Sequence, residues 1–231
     1  MRSQVSAFRL SNRGFDDTLL LAPGWATDHR VFDCLDLPFN YLTPVNFSIR
    51  DFEKELLKAM RENGLARISV LGWSMGSFLV SDFAIKYPDM ADKVIMVSVK
   101  KHYDESAIEK TKTYLRNDKA AYLYKFYHDF FSRYESSALS WFKKNLLKSY
   151  IEKMDIGRLL AGLDYLSGAH LDLEDLKTSK VKIVHGRMDR IAPMEEALEI
   201  KEALPHAEFI AMERTGHVPF LNPDFKRIFD G

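Results

Sequence analysis

Five residues, Gly72-Trp73-Ser74-Met75-Gly76, constrain this chain more than any other stretch. They follow an apolar run, Ile68-Ser69-Val70-Leu71, and precede a segment that reads as a helix, Ser77 to Lys86. A serine between two glycines at such a junction is the nucleophile-elbow pattern G-x-S-x-G. The chain must turn sharply from strand to helix, so the serine adopts a strained backbone and its neighbours must be small. Its hydroxyl is left at the carboxyl end of the strand, with the free N–H groups of a helix N-terminus behind it. The bland alternative is a buried small-residue turn with an idle serine. The strand before and the helix after favour the elbow.

A serine hydroxyl needs a base to take its proton, and the base needs an acid to orient it. In one known arrangement the acid and then a histidine follow the serine along the chain. Val181 to His185 reads as a strand, and the loop Gly186-Arg187-Met188-Asp189-Arg190-Ile191-Ala192-Pro193 follows it. The next strand-like run, Glu208 to Met212, leads into Glu213-Arg214-Thr215-Gly216-His217-Val218-Pro219-Phe220. Asp189 and His217 are therefore the expected acid and base for Ser74. Three separate strand ends carry the three residues, and a parallel sheet would gather them at one edge. Taken singly, Asp189 also reads as a turn residue capping a helix near Pro193, and His217 as an ordinary loop histidine. His29 lies near the loop Pro23 to Ala26 and is expected to line the pocket; the other histidines carry no mark of catalysis.

An oxyanion needs two backbone donors. One is expected from Met75, the residue after the nucleophile. The other is expected from Trp25, in the loop Pro23-Gly24-Trp25-Ala26 that follows the strand-like run Thr18 to Ala22. Gly24 would let the backbone approach a substrate; its plain reading is a β-turn with Pro23.

These segments together resemble an α/β-hydrolase. Within that superfamily the chain is similar to the pimeloyl-[acyl-carrier-protein] methyl ester esterases of biotin synthesis. The resemblance rests on Leu20-Leu21-Ala22-Pro23-Gly24-Trp25, Leu71-Gly72-Trp73-Ser74-Met75-Gly76, His185-Gly186-Arg187-Met188-Asp189 and Gly216-His217-Val218-Pro219-Phe220. The two tryptophans point to the subfamily. The likeness covers residues 17–100 and 178–230 and fades between them. It implies Ser74 as nucleophile, Asp189 as acid, His217 as base, Trp25 and Met75 as oxyanion donors, and no cofactor or metal. The sequence departs from the family pattern at Pro23, where a histidine is usual, and at Ser77, where a second glycine is usual. The amino-terminal hairpin and the stretch between Trp25 and Ser74 are also short.

The expected fold is α/β: a mostly parallel sheet with helices on both faces, with a helical lid inserted after the sixth strand. Residues 1–99 and 168–231 would form the core and residues 100–167 the lid, as an insertion within one domain. Expected strands lie at residues 5–10, 18–22, 40–44, 68–71, 93–99, 181–185 and 208–212. Expected helices lie near 29–35, at 49–63 and at 77–86, the second with Phe52, Leu56, Leu57 and Met60 at helical spacing and Gly64 as its stop. With 46% hydrophobic residues the chain can bury a sizeable core.

Charge narrows the partners. Thirty-three basic residues balance 33 acidic ones, so the whole chain carries no nucleic-acid footprint. A single cysteine, Cys34, excludes an intramolecular disulfide and reads as a small apolar filler. No run approaches the ~20 apolar residues of a membrane span, and Met1 to Asp17 lacks a signal-peptide core, so a cytoplasmic protein is expected. There is no Cys/His cluster with metal spacing.

Between about Lys100 and Ser167 proline is absent, glycine is scarce and aromatics abound, from Tyr103 to Tyr150. Most are expected to pack the lid; some must face Ser74 and give an apolar pocket for an acyl chain. Residues 100–160 hold thirteen Lys/Arg against eight Asp/Glu, the excess concentrated by Lys143, Lys144, Lys148, Lys153 and Arg158. An acyl-carrier protein is acidic and its prosthetic group bears a phosphate, so Lys143, Lys144 and Lys148 are candidate docking residues. The plain reading is a solvated helix face. Other reactions remain open on the same three residues: a menaquinone-pathway lyase, a C–C hydrolase, a thioesterase or a small-ester carboxylesterase. A non-catalytic ligand-binding relative is also open.

Overall fold

The computed structural model describes residues 6–176 and 180–229. Short apolar runs form seven strands among the described residues: β1 Phe8–Ser11, β2 Thr18–Ala22, β3 Asn40–Pro44, β4 Ile68–Trp73, β5 Ala91–Val97, β6 Val181–Gly186 and β7 Glu208–Met212. They lie side by side in the order β1-β3-β2-β4-β5-β6-β7. β1 runs antiparallel to β3, and every other pairing is parallel. The strand order reverses at β2, between β3 and β4, and such reversals open a crevice at the carboxyl ends of the strands. Val5, the expected first residue of the edge strand, lies outside the described residues.

Helices cover both faces, as a parallel sheet requires. α1 Phe52–Glu62 buries Phe52, Leu56, Ala59 and Met60, one stripe of an otherwise polar helix. Leu57 stays only half-buried. A 3-10 turn, Ile49–Asp51, takes the place of the expected first turn of α1, and Gly64 at φ 65° ends the segment. α2 Met75–Lys86 is buried nearly all round, from Met75 through Ala84, and packs directly on β4 and β5. The stretch near 29–35 is only a 3-10 turn, His29–Phe32. Cys34 is exposed and does not fill apolar space.

Among the described residues, five α-helices lie between β5 and β6: α3 Glu105–Asn117, α4 Lys119–His128, α5 Ser136–Phe142, α6 Lys148–Lys153 and α7 Ile156–Gly168, with a π-helical stretch, Lys143–Leu147, joining α5 to α6. Among the described residues they follow the fifth strand and not a sixth. Asp104, Asp118 and Asp155 start α3, α4 and α7 by accepting the amides of Ala107, Ala121 and Arg158. Tyr127, Phe130, Phe131, Phe142 and Tyr150 are buried in the same apolar core as the sheet, whereas Tyr114, Tyr124 and Tyr134 are exposed. α8 Met194–Ala203 follows β6. Among the described residues, no helix is long and apolar enough to cross a membrane.

Candidate active site

Ser74 sits between β4 and α2 at φ 52° and ψ −118°, a left-handed backbone that a residue with a side chain rarely holds. The flanking glycines explain how. A Cβ on Gly72 would overlap the Gly76 carbonyl, and one on Gly76 would overlap the carbonyl of Ala22. Ser77, which departs from the family pattern, donates its buried hydroxyl to the Gly72 carbonyl at 2.7 Å and so closes the turn. The loop after β2 lies against this elbow: a Cβ on Gly24 would stand 3.3 Å from Ser74 Cβ. Among the described residues the Trp25 and Met75 amides donate to no protein acceptor. The Trp25 indole N–H is held by the Leu159 carbonyl of α7 at 2.9 Å.

Asp189 and His217 come together from the ends of β6 and β7. His217 Nδ1 lies 2.7 Å from Asp189 Oδ2, and both side chains are buried. Asp189 Oδ1 accepts the amides of Ile191 at 2.8 Å and Ala192 at 2.9 Å. One oxygen of Asp189 thus ties the turn of its own loop and the other faces His217, while α8 starts after Pro193 without a side-chain cap. Burial alone would raise this carboxyl; His217, by charge and hydrogen bond, with His185 and the Ala192 amide, holds it below its ordinary value of 3.8.

The His217 backbone is gripped from two sides. Its N–H donates to the Phe130 carbonyl at 2.7 Å, and its carbonyl accepts the buried Trp73 indole N–H at 2.7 Å. The imidazole lies 5.5 Å from the Trp73 ring and 5.6 Å from the Phe130 ring, centroid to centroid. The donor role of Trp73 has no local sequence signal, since its acceptor is 144 residues away.

The structure brings Ser74 and His217 to the same edge but makes no hydrogen bond between them among the described residues. The Ser74 hydroxyl instead meets the Tyr103 hydroxyl at 3.4 Å. Burial pushes the Tyr103 phenol up to about 12, so it stays neutral and can donate. Among the described residues, Tyr103 is thus the aromatic between β5 and β6 that hydrogen-bonds the serine. His185, read as a plain strand residue, is wholly buried 3.7 Å from Asp189 Oδ2. Its Nε2 contacts the Ala192 carbonyl at 2.7 Å, and because a carbonyl only accepts, that nitrogen carries the proton. Burial pushes its pKa down.

A groove of about 920 Å³ opens beside Gly24, Trp25 and Met75, walled by Phe47, Ile49, Leu159 and Gly162. Arg50 and Arg158 also line it. Neither His29 nor the lysines Lys143, Lys144 and Lys148 do. Those lysines are exposed, and Lys148 lies 3.9 Å from Glu152.

A strained serine elbow on β4, with an acid and a histidine paired at the ends of β6 and β7, is the arrangement of the α/β-hydrolase class. The chain belongs to the alpha/beta hydrolase fold family, which matches residues 25–224. Among curated relatives it is similar to the pimeloyl-[acyl-carrier protein] methyl ester esterase of Nitrosomonas europaea, 25% identical over 242 residues, covering 94% of this chain and 95% of that one. The esterase of the same name from Vibrio atlanticus is 22% identical, covering 95% and 93%. Solved structures of like fold include a bromoperoxidase from Bacillus anthracis, with a TM-score of 0.80 and 17% identity over 96% of this chain and 92% of that one. An esterase from Exiguobacterium antarcticum has a TM-score of 0.78 and 15% identity over the same shares.

Proposed function

We propose that the chain is a serine carboxylesterase that cleaves an acyl ester through an acyl-enzyme, its substrate the methyl ester of a pimeloyl chain on an acyl-carrier protein. The observation that carries the chemistry is the buried 2.7 Å pair of His217 and Asp189 at the strand edge where Ser74 stands in its elbow. The substrate is supported by the names of the curated relatives.

The Ser74 hydroxyl turns from Tyr103 toward His217 when substrate enters; such bonds are often unmade in a free enzyme. His217 Nε2 takes the proton as Oγ bonds to the ester carbonyl carbon. The Met75 and Trp25 amides receive the negative oxygen. The bond from carbon to the alcohol oxygen then breaks, and His217 returns its proton to the leaving alcohol. Water repeats the sequence on the acyl-enzyme: His217 takes its proton, and the freed Ser74 oxygen regains one. Asp189 fixes the imidazole tautomer and offsets its transient charge. Helices of residues 100–167 act as a lid, the groove beside Trp25 and Met75 takes the substrate chain, and Lys143, Lys144 and Lys148 meet the acidic carrier. The reaction takes place in the cytoplasm and needs no cofactor.

One observation favours a second reading, a small-ester carboxylesterase without a protein partner: the three lysines stand off the groove. The deciding experiment follows methyl loss from the carrier-linked ester by mass spectrometry, beside a short free ester and the Ser74→Ala variant. Serine-dependent cleavage of the carrier-linked ester is expected. Turnover of the free ester alone would remove the carrier from the reading, and full activity in Ser74→Ala would remove the serine mechanism.

A further inference from the structure

Glu135 stands at the start of α5, far in sequence from the residues assigned to catalysis. It is 8% exposed, and among the described residues its carboxylate forms no ion pair within 4.0 Å. A buried carboxyl without a counter-charge is costly, so its retention calls for a geometric reason. Its Oε2 accepts two amides at 2.7 Å, that of Ser132 in its own segment and that of Gly216, the residue before His217. Oε1 is buried without a partner.

The same short segment reaches the His217 loop in other ways. The Phe130 carbonyl accepts the His217 amide at 2.7 Å, and the Ser132 hydroxyl donates to the Arg214 carbonyl at 2.5 Å. The approach is close enough that a Cβ on Gly216 would overlap the Phe130 carbonyl and stand 3.0 Å from Glu135 Oε2. Three successive stations of the loop, Arg214, Gly216 and His217, are thus tied to residues 130–135. Burial, and the nearby Asp189 charge, push the Glu135 carboxyl above its ordinary value against the pull of its two amides.

We propose that Glu135 is a positioning residue for His217, its carboxylate locking residues 130–135 onto the Gly216 amide so that the helical insertion sets the place of the imidazole. The inference rests on the reading of His217 as general base. It makes the insertion part of the catalytic apparatus as well as a cover.

The test uses the full chain with Glu135→Ala, Glu135→Gln and Ser132→Ala. Turnover of a short p-nitrophenyl ester is divided by the fraction of sites that a fluorophosphonate labels. The far-downfield proton resonance of the Asp189–His217 hydrogen bond is recorded beside it by NMR. Misplacing a catalytic group by about 1 Å can cost on the order of 100-fold, so a fall in kcat of about tenfold or more is expected for Glu135→Ala, with KM held within about twofold. Its downfield resonance should broaden or shift. Glu135→Gln keeps an acceptor oxygen and should restore both readouts. An alanine variant with native kcat and native resonance overturns the proposal, as does a glutamine variant as impaired as alanine in both. If Glu135→Ala does not fold, Ser132→Ala and Glu135→Gln decide: a smaller fall in kcat with a shifted resonance in the first, and near-native values in the second, support the clamp. A wild-type chain inert toward every ester would remove the esterase reading, while the resonance would still report whether Glu135 positions His217.

Discussion

Asp189 gives one oxygen to its own turn and the other to His217, so a single substitution separates the two tasks. Asp189→Asn keeps an oxygen for the amides of Ile191 and Ala192 but loses the charge beside the imidazole. The native carboxyl titrates below 3.8, its ordinary value. A carboxyl lowered on folding adds stability above its unfolded value, and that stability is lost as pH falls through the folded one. The stability advantage of the native chain over Asp189→Asn should therefore be full at neutral pH and shrink below about pH 4. Urea unfolding of both chains across that range checks it; a gap independent of pH would mean the carboxyl gains nothing from its neighbours. The placement of Ser74, Asp189 and His217 at strand ends was legible because each follows an apolar run and sits in a loop marked by glycine. Trp73 and Glu135 were not, because their partners lie 144 and 81 residues away and no local pattern records such a bond.

At the scale of elements, the contact between α7 and the loop after β2 links the insertion to the proposed oxyanion donor. Gly162 on α7 faces Trp25 so closely that an added Cβ would stand 2.6 Å from the indole Cδ1. The indole cannot easily retreat, since its N–H is bonded to Leu159 and its ring packs 4.9 Å from Phe126. Overpacking of this kind costs about 1–3 kcal/mol. Gly162→Ala should lose stability in that range and lower kcat as the Trp25 amide shifts. Denaturation and steady-state kinetics would show it; native values for both would mean that the loop yields freely and that α7 does not set its place. The strands were legible, β2, β3 and β7 with their expected bounds, while β4 runs two residues further, β5 lies two residues earlier and β1 begins only at Phe8. The helices between β5 and β6 read only as one helical region, because proline is absent there and glycine, the other usual punctuation, is scarce. Their breaks are marked by Asp104, Asp118 and Asp155, whose side chains cap the helices that follow. An aspartate in a stretch rich in charge is a faint signal until its amide partner is seen.

For the whole molecule the open question is whether a second protein docks. Basic and acidic residues cancel at 33 each, so net charge draws no partner and any attraction must come from a patch. Lys143 and Lys144 are exposed, while Lys148 is partly offset by Glu152 at 3.9 Å, an exposed pair that holds little energy. If an acidic carrier approaches this face, its capture depends on the reach of the field. That reach falls from about 30 Å at 0.01 M ionic strength to about 8 Å at 0.15 M. KM for the carrier-linked ester should therefore rise steeply over that range, and KM for a short neutral ester should stay flat. Lys143→Glu with Lys144→Glu should weaken the salt dependence for the carrier-linked substrate and leave the short ester unaffected. Arg158 serves as the internal contrast, because it lines the groove beside Trp25 and Met75. Its reversal should alter any substrate whose chain or anionic group enters the groove, carrier-borne or free. A carrier-linked KM indifferent to salt would mean that recognition resides in the groove and that the exposed lysines only keep their helix in water.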